Sequence, residues 1–234
     1  MKSTSRRMFT GWVVALVLGL STCVGAQGAP AVTAPWALGE QPNFSGTLID
    51  WTKGDAIASG DGAIFATTYP DSDSEEGVGV GFGHVSADGS YTFGLQRIDA
   101  SAPWLVLPVF ADCAGIIASN AQQKVASVTS IEIPGLYEEG VHARPGGAIH
   151  ISSYPFTLSP ERERYIFAYA NADGTVKGSC DAGEGFGLSY DLDLRKDWNS
   201  LRLNESMSGI GIVTAAIPED AYWYFVNPLT VPAD

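Results

Sequence analysis

A chain of 234 residues with 45% hydrophobic side chains is long enough to bury a substantial core in one or two domains. Its 26 acidic and 13 basic residues give a formal net charge of −13, and the sequence contains no basic stripe. A surface this acidic repels phosphate backbones, so we expect no nucleic-acid partner. The 27 glycines and 13 prolines favour many short strands over long helices.

Residues 1–28 have the order of an export signal peptide. Lys2, Arg6 and Arg7 precede an uncharged apolar run at residues 8–20, and small residues follow as far as Ala26. The run is shorter than the roughly 20 residues of a transmembrane helix. We therefore expect the leader to be cleaved and the mature form to have no integral membrane span. The predicted location is the periplasm, the cell envelope or the outside of the cell.

Two short motifs inside the leader resemble known export signals. The stretch SRRMF at residues 5–9 resembles a twin-arginine signal, which implies export in a folded state, although the very apolar run suits the general secretory route. The stretch LSTC at residues 20–23 resembles a bacterial lipobox, which implies a lipidated Cys23 as the mature N-terminus. Because Thr22 stands where that motif has Gly or Ala, we expect Cys23 to leave with the leader.

Without the leader, Cys113 and Cys180 are the only cysteines that remain. An even pair in an oxidising compartment predicts a disulfide between them. The alternative is a cysteine nucleophile with a histidine base. Neither cysteine lies in a recognisable catalytic motif, which favours the disulfide.

The remaining chain divides into an extended lead-in rich in Pro and Ala at residues 29–42 and a strand-rich domain at residues 43–234. In SGTLIDW (45–51), alternation predicts that Thr47, Ile49 and Trp51 share one face. The next clear pattern is VSADGSYTFGL (85–95), where Asp88-Gly89 predicts a hairpin turn and the following alternation gives one apolar face with Tyr91, Phe93 and Leu95.

Residues 111–127 show no lasting periodicity and predict a loop with one short helix. Beyond them, LSYDLDL (188–194) separates two faces: one carries Leu188, Tyr190, Leu192 and Leu194, and the other carries Asp191, Asp193 and Arg195. One wet face is typical of an antiparallel sheet. About a dozen such strands predict an all-β fold with little helix, an antiparallel β-sandwich built as one large sandwich or as two packed halves.

Two segments carry a family resemblance. GHVSADGSYTFGL (83–95) is similar to strand pairs in the carboxypeptidase-regulatory-like, prealbumin-type sandwiches of secreted bacterial proteins. TVKGSC (175–180), followed by YDLDLRKDWNSLRL (190–203), resembles uncharacterised exported bacterial proteins. Together they cover about a quarter of the chain. The resemblance implies an exported, non-catalytic sandwich and assigns no functional residue.

Metal sites have two sets of candidate ligands. The densest acidic cluster, formed by Asp71, Asp73, Glu75 and Glu76, offers the oxygen ligands that calcium prefers. It is not an EF-hand, because Glu76 stands where that loop needs glycine, and a solvated acidic loop is the alternative. The second set is the three histidines, His84, His142 and His150, which could bind zinc or copper but show no His-x-His pair.

Binding and catalysis leave fewer signals. In AYWYFVN (221–227), alternation places Trp223 and Phe225 on one face and Tyr222 and Tyr224 on the other, so the tyrosines are candidates for a displayed binding surface. Burial of both faces is the alternative. The sequence contains no Gly-x-Ser-x-Gly elbow, no His-Glu-x-x-His and no phosphate-binding glycine loop.

These observations favour a non-enzymatic secreted or cell-envelope sandwich that binds an envelope protein or a polysaccharide and needs no cofactor. One alternative is a periplasmic protein that binds calcium or a transition metal. Another is a hydrolase that uses a pair of carboxylates, one of them with a raised pKa. Whether the protein is an enzyme is left open by the sequence, which favours a negative answer.

Overall fold

In the computed structural model of the chain, every regular element within the described residues is a β-strand. The structure describes residues 34–51, 62–69, 77–102, 105, 115–128, 130–134, 136–138, 141–144, 146–153, 162–181, 183 and 185–226, all within one compact unit, Thr33–Asp234. The described strands are β1 (Ala37–Gly39), β2 (Asn43–Thr47), β3 (Gly62–Thr68), β4 (Val78–Val85), β5 (Ser90–Leu95), β6 (Ile116–Ala118), β7 (Val125–Ser127), β8 (Ser130–Ile133), β9 (Leu136–Glu138), β10 (Val141–Arg144), β11 (Gly147–Ser152), β12 (Arg162–Ala170), β13 (Gly174–Asp181), β14 (Gly187–Leu194), β15 (Asp197–Ser206), β16 (Gly209–Thr214) and β17 (Tyr222–Val226). The prediction of an all-β fold is confirmed. Accordingly, these residues include no helix long and apolar enough to cross a membrane.

Fifteen of these strands form one continuous sheet. Its main path runs β2-β5-β4-β3-β8-β11-β12-β15-β16-β14-β13-β6, with β1 paired to β15, β17 to β11 and β7 to β12. The strands β9 and β10 form a separate hairpin. Within the described residues, the named strands pair antiparallel except for β14 and β16. These two run parallel because β15 and β16 form a hairpin that places β16 between β14 and β15.

Two hydrophobic cores lie on opposite faces of the shared strands β12 and β15. Tyr165, Phe167 and Tyr169 of β12 face the larger core, together with side chains from β3, β4, β5, β8, β11 and β17. Ala168 and Ala170 face the smaller core, which β13 to β16 complete. A strand buried on both faces has no polar side to display, which explains the nearly unbroken apolar run RYIFAYA. The sandwich is therefore one sheet folded around two cores.

The β4–β5 hairpin is formed as the sequence predicts. Gly89 has φ of 85°, and Ser90 donates hydrogen bonds to Asp88 Oδ1 from both its backbone nitrogen (2.9 Å) and its hydroxyl (2.7 Å). These bonds hold the pKa of Asp88 below its usual range. The side chains predicted to share the apolar face, Tyr91, Phe93 and Leu95, are all buried.

The β14–β15 turn is held by a buried amide. Asn199 is fully buried, and its Oδ1 accepts a hydrogen bond from the Arg195 nitrogen (2.9 Å). Its Nδ2 donates to the carbonyl oxygens of Arg195 (2.7 Å) and Asp197 (2.9 Å). These bonds stabilise Asp197 at φ of 77°, an uncommon conformation for a residue with a side chain. The neighbouring Trp198 has a structural role as well, since it is buried and donates to the Gln96 carbonyl (2.8 Å).

The short helix predicted within residues 111–127 is wrong for the described part, residues 115–127. That stretch forms β6 and β7, and the turn between them wraps the β12–β13 connection. The buried Gln123 donates to the Ala172 carbonyl (2.7 Å), and the Lys124 nitrogen donates to Asn171 Oδ1 (2.7 Å). The hydrogen-bond partners of this turn are distant in sequence, so no local pattern of hydrophobic residues predicts its structure.

The alternation predicted for SGTLIDW is also wrong beyond β2. The strand ends at Thr47, and Asp50 has φ of 65°, which turns the chain out of an extended path. As a result, Leu48 and Trp51 are both buried and Ile49 is only half-buried. A positive φ reverses the period-two pattern on which the prediction rested.

Candidate functional site

The candidate metal ligands fall largely outside the described residues. The acidic cluster at residues 71–76 lies there, and so do Cys23, Cys113 and the side chain of His142. His84 lies on β4 and His150 on β11. Within the described residues, no three His, Cys, Asp or Glu side chains form a group that could hold a metal ion.

The two tyrosines proposed as a displayed pair have different environments. Tyr222 is 36% exposed, whereas Tyr224 is only 5% exposed and pairs with His150 across β11 and β17. Their rings are 5.8 Å apart at 33°. Trp223 and Phe225 are buried, as expected. Only Tyr222 of this strand therefore presents a substantial aromatic surface to solvent.

A different set of aromatic side chains is displayed together. Phe65 of β3 and Phe82 of β4 are directly opposite each other, with ring centroids 5.5 Å apart and planes at 79°. They are 36% and 45% exposed, and Tyr69, just after β3, is 44% exposed. We call these three residues the aromatic ridge. At the solvent-facing positions of a sheet, alternation predicts polar residues. Here an edge-to-face pair of phenylalanines occupies two such positions.

The glycines of β4 and of the residue before it explain how the ridge is built. A Cβ on Gly79 would lie 3.3 Å from Cζ of Phe82, and one on Gly77 would lie 3.2 Å from Cζ of Tyr69. Both rings therefore lie over positions that have no side chain. Gly83 serves the other face, where a Cβ would collide with the backbone of Thr92. The glycines of the stretch VGVGFGHV therefore leave space for the rings on one face of β4. On the other face they allow the backbone of β5 to approach the backbone of β4 closely.

The surroundings of the ridge are polar. Register places Glu132 of β8 beside Phe65, and places His84 beside Thr92 of β5 on the same outer face. Phenylalanine rings supply apolar contact area but no group that transfers protons.

The hydrolase hypothesis required a carboxylate with a raised pKa. Burial raises the pKa of Asp197, and the nearby charge of Glu40 adds to that effect. However, Asp197 belongs to the β14–β15 turn that Asn199 holds, which gives it a structural position. The raised pKa of Asp197 therefore comes from its burial in this turn and does not by itself define an acid–base pair.

The predicted disulfide has one partner in the described region. Cys180 lies in β13, and the chain just after Cys113 runs beside it. A Cβ on Gly115 would lie 2.7 Å from the carbonyl oxygen of Ser179. This close approach is compatible with a bond between Cys113 and Cys180, which stays a prediction.

Comparisons with known protein families, with characterised proteins and with solved structures found no match to this chain.

Proposed function

We propose that the mature protein is a non-enzymatic component of the cell envelope or the secreted fraction, and that it binds a protein partner through the aromatic ridge. The observation that carries the proposal is the contact between Phe65 and Phe82 on the solvent face of the sheet. Aromatic side chains are enriched at protein interfaces and contribute strongly to their binding energy.

The chemistry of the rings favours a protein over a polysaccharide. Phe65 and Phe82 stand at 79°, so they do not offer one flat platform to a sugar chain. Neither phenylalanine ring can donate or accept a hydrogen bond to sugar hydroxyls, so Tyr69 carries the one hydroxyl of the ridge. An apolar side chain of a protein, in contrast, can fill the angle between a ring face and a ring edge. Binding of a polysaccharide at the ridge is the competing outcome.

Export is part of the same proposal. It is supported by the basic residues, apolar run and small-residue end of residues 1–28. The expected mature N-terminus is Gln27 or Ala29. A chain that began at a lipid-modified Cys23 would place the protein on a membrane surface instead. The intact mass of protein purified from its native compartment distinguishes these forms.

The ridge is tested with a double variant, Phe65→Ser/Phe82→Ser, and a matched control, Ile117→Ser. Ile117 is 73% exposed on β6, so the control also removes a displayed apolar side chain but from another strand. Each mature protein is immobilised and incubated with native envelope extract, and the bound proteins are quantified by mass spectrometry. In parallel, each is sedimented with insoluble envelope polysaccharide.

We expect at least one protein of the extract to bind the wild type saturably. Its affinity for the ridge variant should be lower by about tenfold or more, as for a hot-spot residue. The control should bind like the wild type. Ile117→Ser should leave the unfolding free energy within about 0.5 kcal/mol of the wild type. The ridge variant loses two partly buried rings and their edge-to-face contact, so it should be less stable by about 1–4 kcal/mol, and binding is compared at a temperature at which all three proteins are folded. Equal binding of extract proteins by the wild type, the ridge variant and the control would contradict the proposal. If only sedimentation with polysaccharide depends on the ridge, the partner is a polysaccharide and the proposed protein partner is wrong.

A further inference from the structure

A polar trough lies on the outer face of the strands that enclose the smaller core. It has a volume of about 410 Å³, within the range of about 300–1,000 Å³ that is usual for ligand sites. Two rows of directly paired residues form it across β13, β14, β16 and β15. The first row is Ser179, Ser189, Gly211 and Asn204, and the second is Asp181, Gly187, Gly209 and Ser206.

The trough exists because three of the four positions on the middle strands β14 and β16 are glycines, and the fourth is the small residue Ser189. Gly187, Gly209 and Gly211 provide a floor of backbone, while the alternate residues Leu188 and Ile210 pack toward the smaller core. Polar side chains stand on both flanks. Gly209 is required by the backbone, because a Cβ there would collide with the Gly187 carbonyl oxygen, whereas a Cβ on Gly187 would meet nothing closer than the Ser208 carbonyl oxygen at 3.7 Å.

The flanking side chains can both donate and accept hydrogen bonds. Ser189 and Asn204 are exposed and have no side-chain hydrogen bond within the described part of the chain. Asp181 uses Oδ1 to accept from the Gly183 nitrogen (2.8 Å), which leaves Oδ2 as an acceptor. Ser206 donates to the Gly209 carbonyl (3.1 Å) and its oxygen lies 3.3 Å from Ser208 Oγ, which leaves one lone pair to accept a further hydrogen bond.

The width of the trough also suits a ring-shaped ligand. Four neighbouring strands span three interstrand spacings, or roughly 14 Å at about 4.8 Å each. Carboxylate and hydroxyl groups lie at one side of this span, and an amide and a hydroxyl lie at the other. Vicinal hydroxyls of a sugar match such a mixture, because each hydroxyl donates one hydrogen bond and accepts others.

We propose that this trough binds a neutral saccharide. Anionic ligands are disfavoured by Asp181 and by the formal charge of −13, and none of the residues that line the trough is basic. Apolar ligands would leave the amide of Asn204 and the carboxylate of Asp181 without partners. The site is on different strands from the aromatic ridge, so neither proposal depends on the other.

The test is a titration of the ¹⁵N-labelled mature protein, followed by NMR, with cellotetraose, maltotetraose and chitotetraose. An oligouronate of the same length serves as the anionic comparison. We expect at least one neutral probe to shift the amide signals of Gly187, Gly209 and Gly211, with dissociation constants on the order of 1 mM. The signals of Gly79 and Gly83, on β4, should not move. The oligouronate should not bind.

Two variants separate the trough from the rest of the surface. Gly187→Val fills the floor, and it is compatible with the fold because a Cβ there meets nothing closer than the Ser208 carbonyl at 3.7 Å. It should abolish the shifts, whereas the control Ala63→Val, an exposed position on β3, should keep them. Asn204→Ala, which removes one hydrogen-bonding group, should weaken binding about three- to tenfold.

Three results would overturn the proposal. The first is no shift of the floor glycines with any neutral probe up to about 10 mM, where even a weak site would be occupied. The second is equal binding of the oligouronate. The third is unchanged binding by both Gly187→Val and Asn204→Ala.

Discussion

Replacing Asn199 with alanine should destabilise the fold more than any exposed substitution on the same strand. The variant removes three hydrogen bonds, of 2.7, 2.9 and 2.9 Å, that join a fully buried amide to the β14–β15 turn. Each such bond contributes about 1 kcal/mol net, and its loss leaves backbone groups without a partner. Together these give an expected loss of about 3 kcal/mol in the free energy of unfolding.

The assay is urea unfolding of the mature protein, followed by tryptophan fluorescence. With a slope of about 2 kcal/mol per molar urea, the midpoint of Asn199→Ala should fall by about 1.5 M. Asn204→Ala is the matched control on β15, since Asn204 is exposed, and it should stay within about 0.5 kcal/mol of the wild type. Asn199→Asp should be worse than alanine at neutral pH, because its carboxylate would face two carbonyl oxygens. A loss below about 0.5 kcal/mol for Asn199→Ala would refute the assigned role of this side chain.

Three further predictions concern the sheet and its turns. Reduction should lower the unfolding free energy by about 4 kcal/mol if Cys113 is bonded to Cys180, and intact mass should show two alkyl groups only after reduction; alkylation without reduction would contradict the bond. Gly83→Ala should cost about 2–3 kcal/mol, because its Cβ collides with the β5 backbone, whereas Gly187→Ala should be neutral or stabilising in the same urea assay; similar costs would refute this explanation. Burial raises the pKa of Asp197, so its charge opposes folding above that pKa, and Asp197→Asn should stabilise the protein at pH 7. The gain in unfolding free energy should vanish at about pH 4, and a gain that is independent of pH would contradict this explanation.

The sequence predicts the strands that have one wet face and one buried face. In β14, Tyr190, Leu192 and Leu194 are buried while Asp191 is exposed, as its alternation indicates. The β4–β5 turn was also predictable, because Asp88-Gly89 chemistry is local. In both cases the decisive interactions lie within a few residues of the pattern.

Elements whose partners are distant in sequence could not be predicted in the same way. The burial of both faces of β12 depends on two cores, one of which is completed by β17 near the end of the described chain. Tyr224 is buried for a related reason, because β17 pairs with β11. The parallel pairing of β14 with β16 likewise follows from the way the β15–β16 hairpin folds back. The alternation of hydrophobic residues within either strand does not indicate this pairing.

The aromatic ridge was missed although its parts were visible. Phe65 and Phe82 occur in two stretches that read separately as strands, and neither stretch shows alone that the two rings meet. A bulge between Ala66 and Thr67 shifts the register and hides the pairing further. The signal that could have found the ridge is the spacing of Gly77 and Gly79, which have no side chain where the rings lie.

Site-directed photocrosslinking in living cells tests the central claim, that the ridge is an interface with a protein, most directly. Benzoylphenylalanine at position 82 keeps an aromatic ring in the ridge, and the same residue at position 117 is the exposed control on β6. The account predicts a discrete protein adduct after irradiation of the position-82 protein and none from the control. The absence of any adduct at position 82, or the same adducts from both positions, would contradict it.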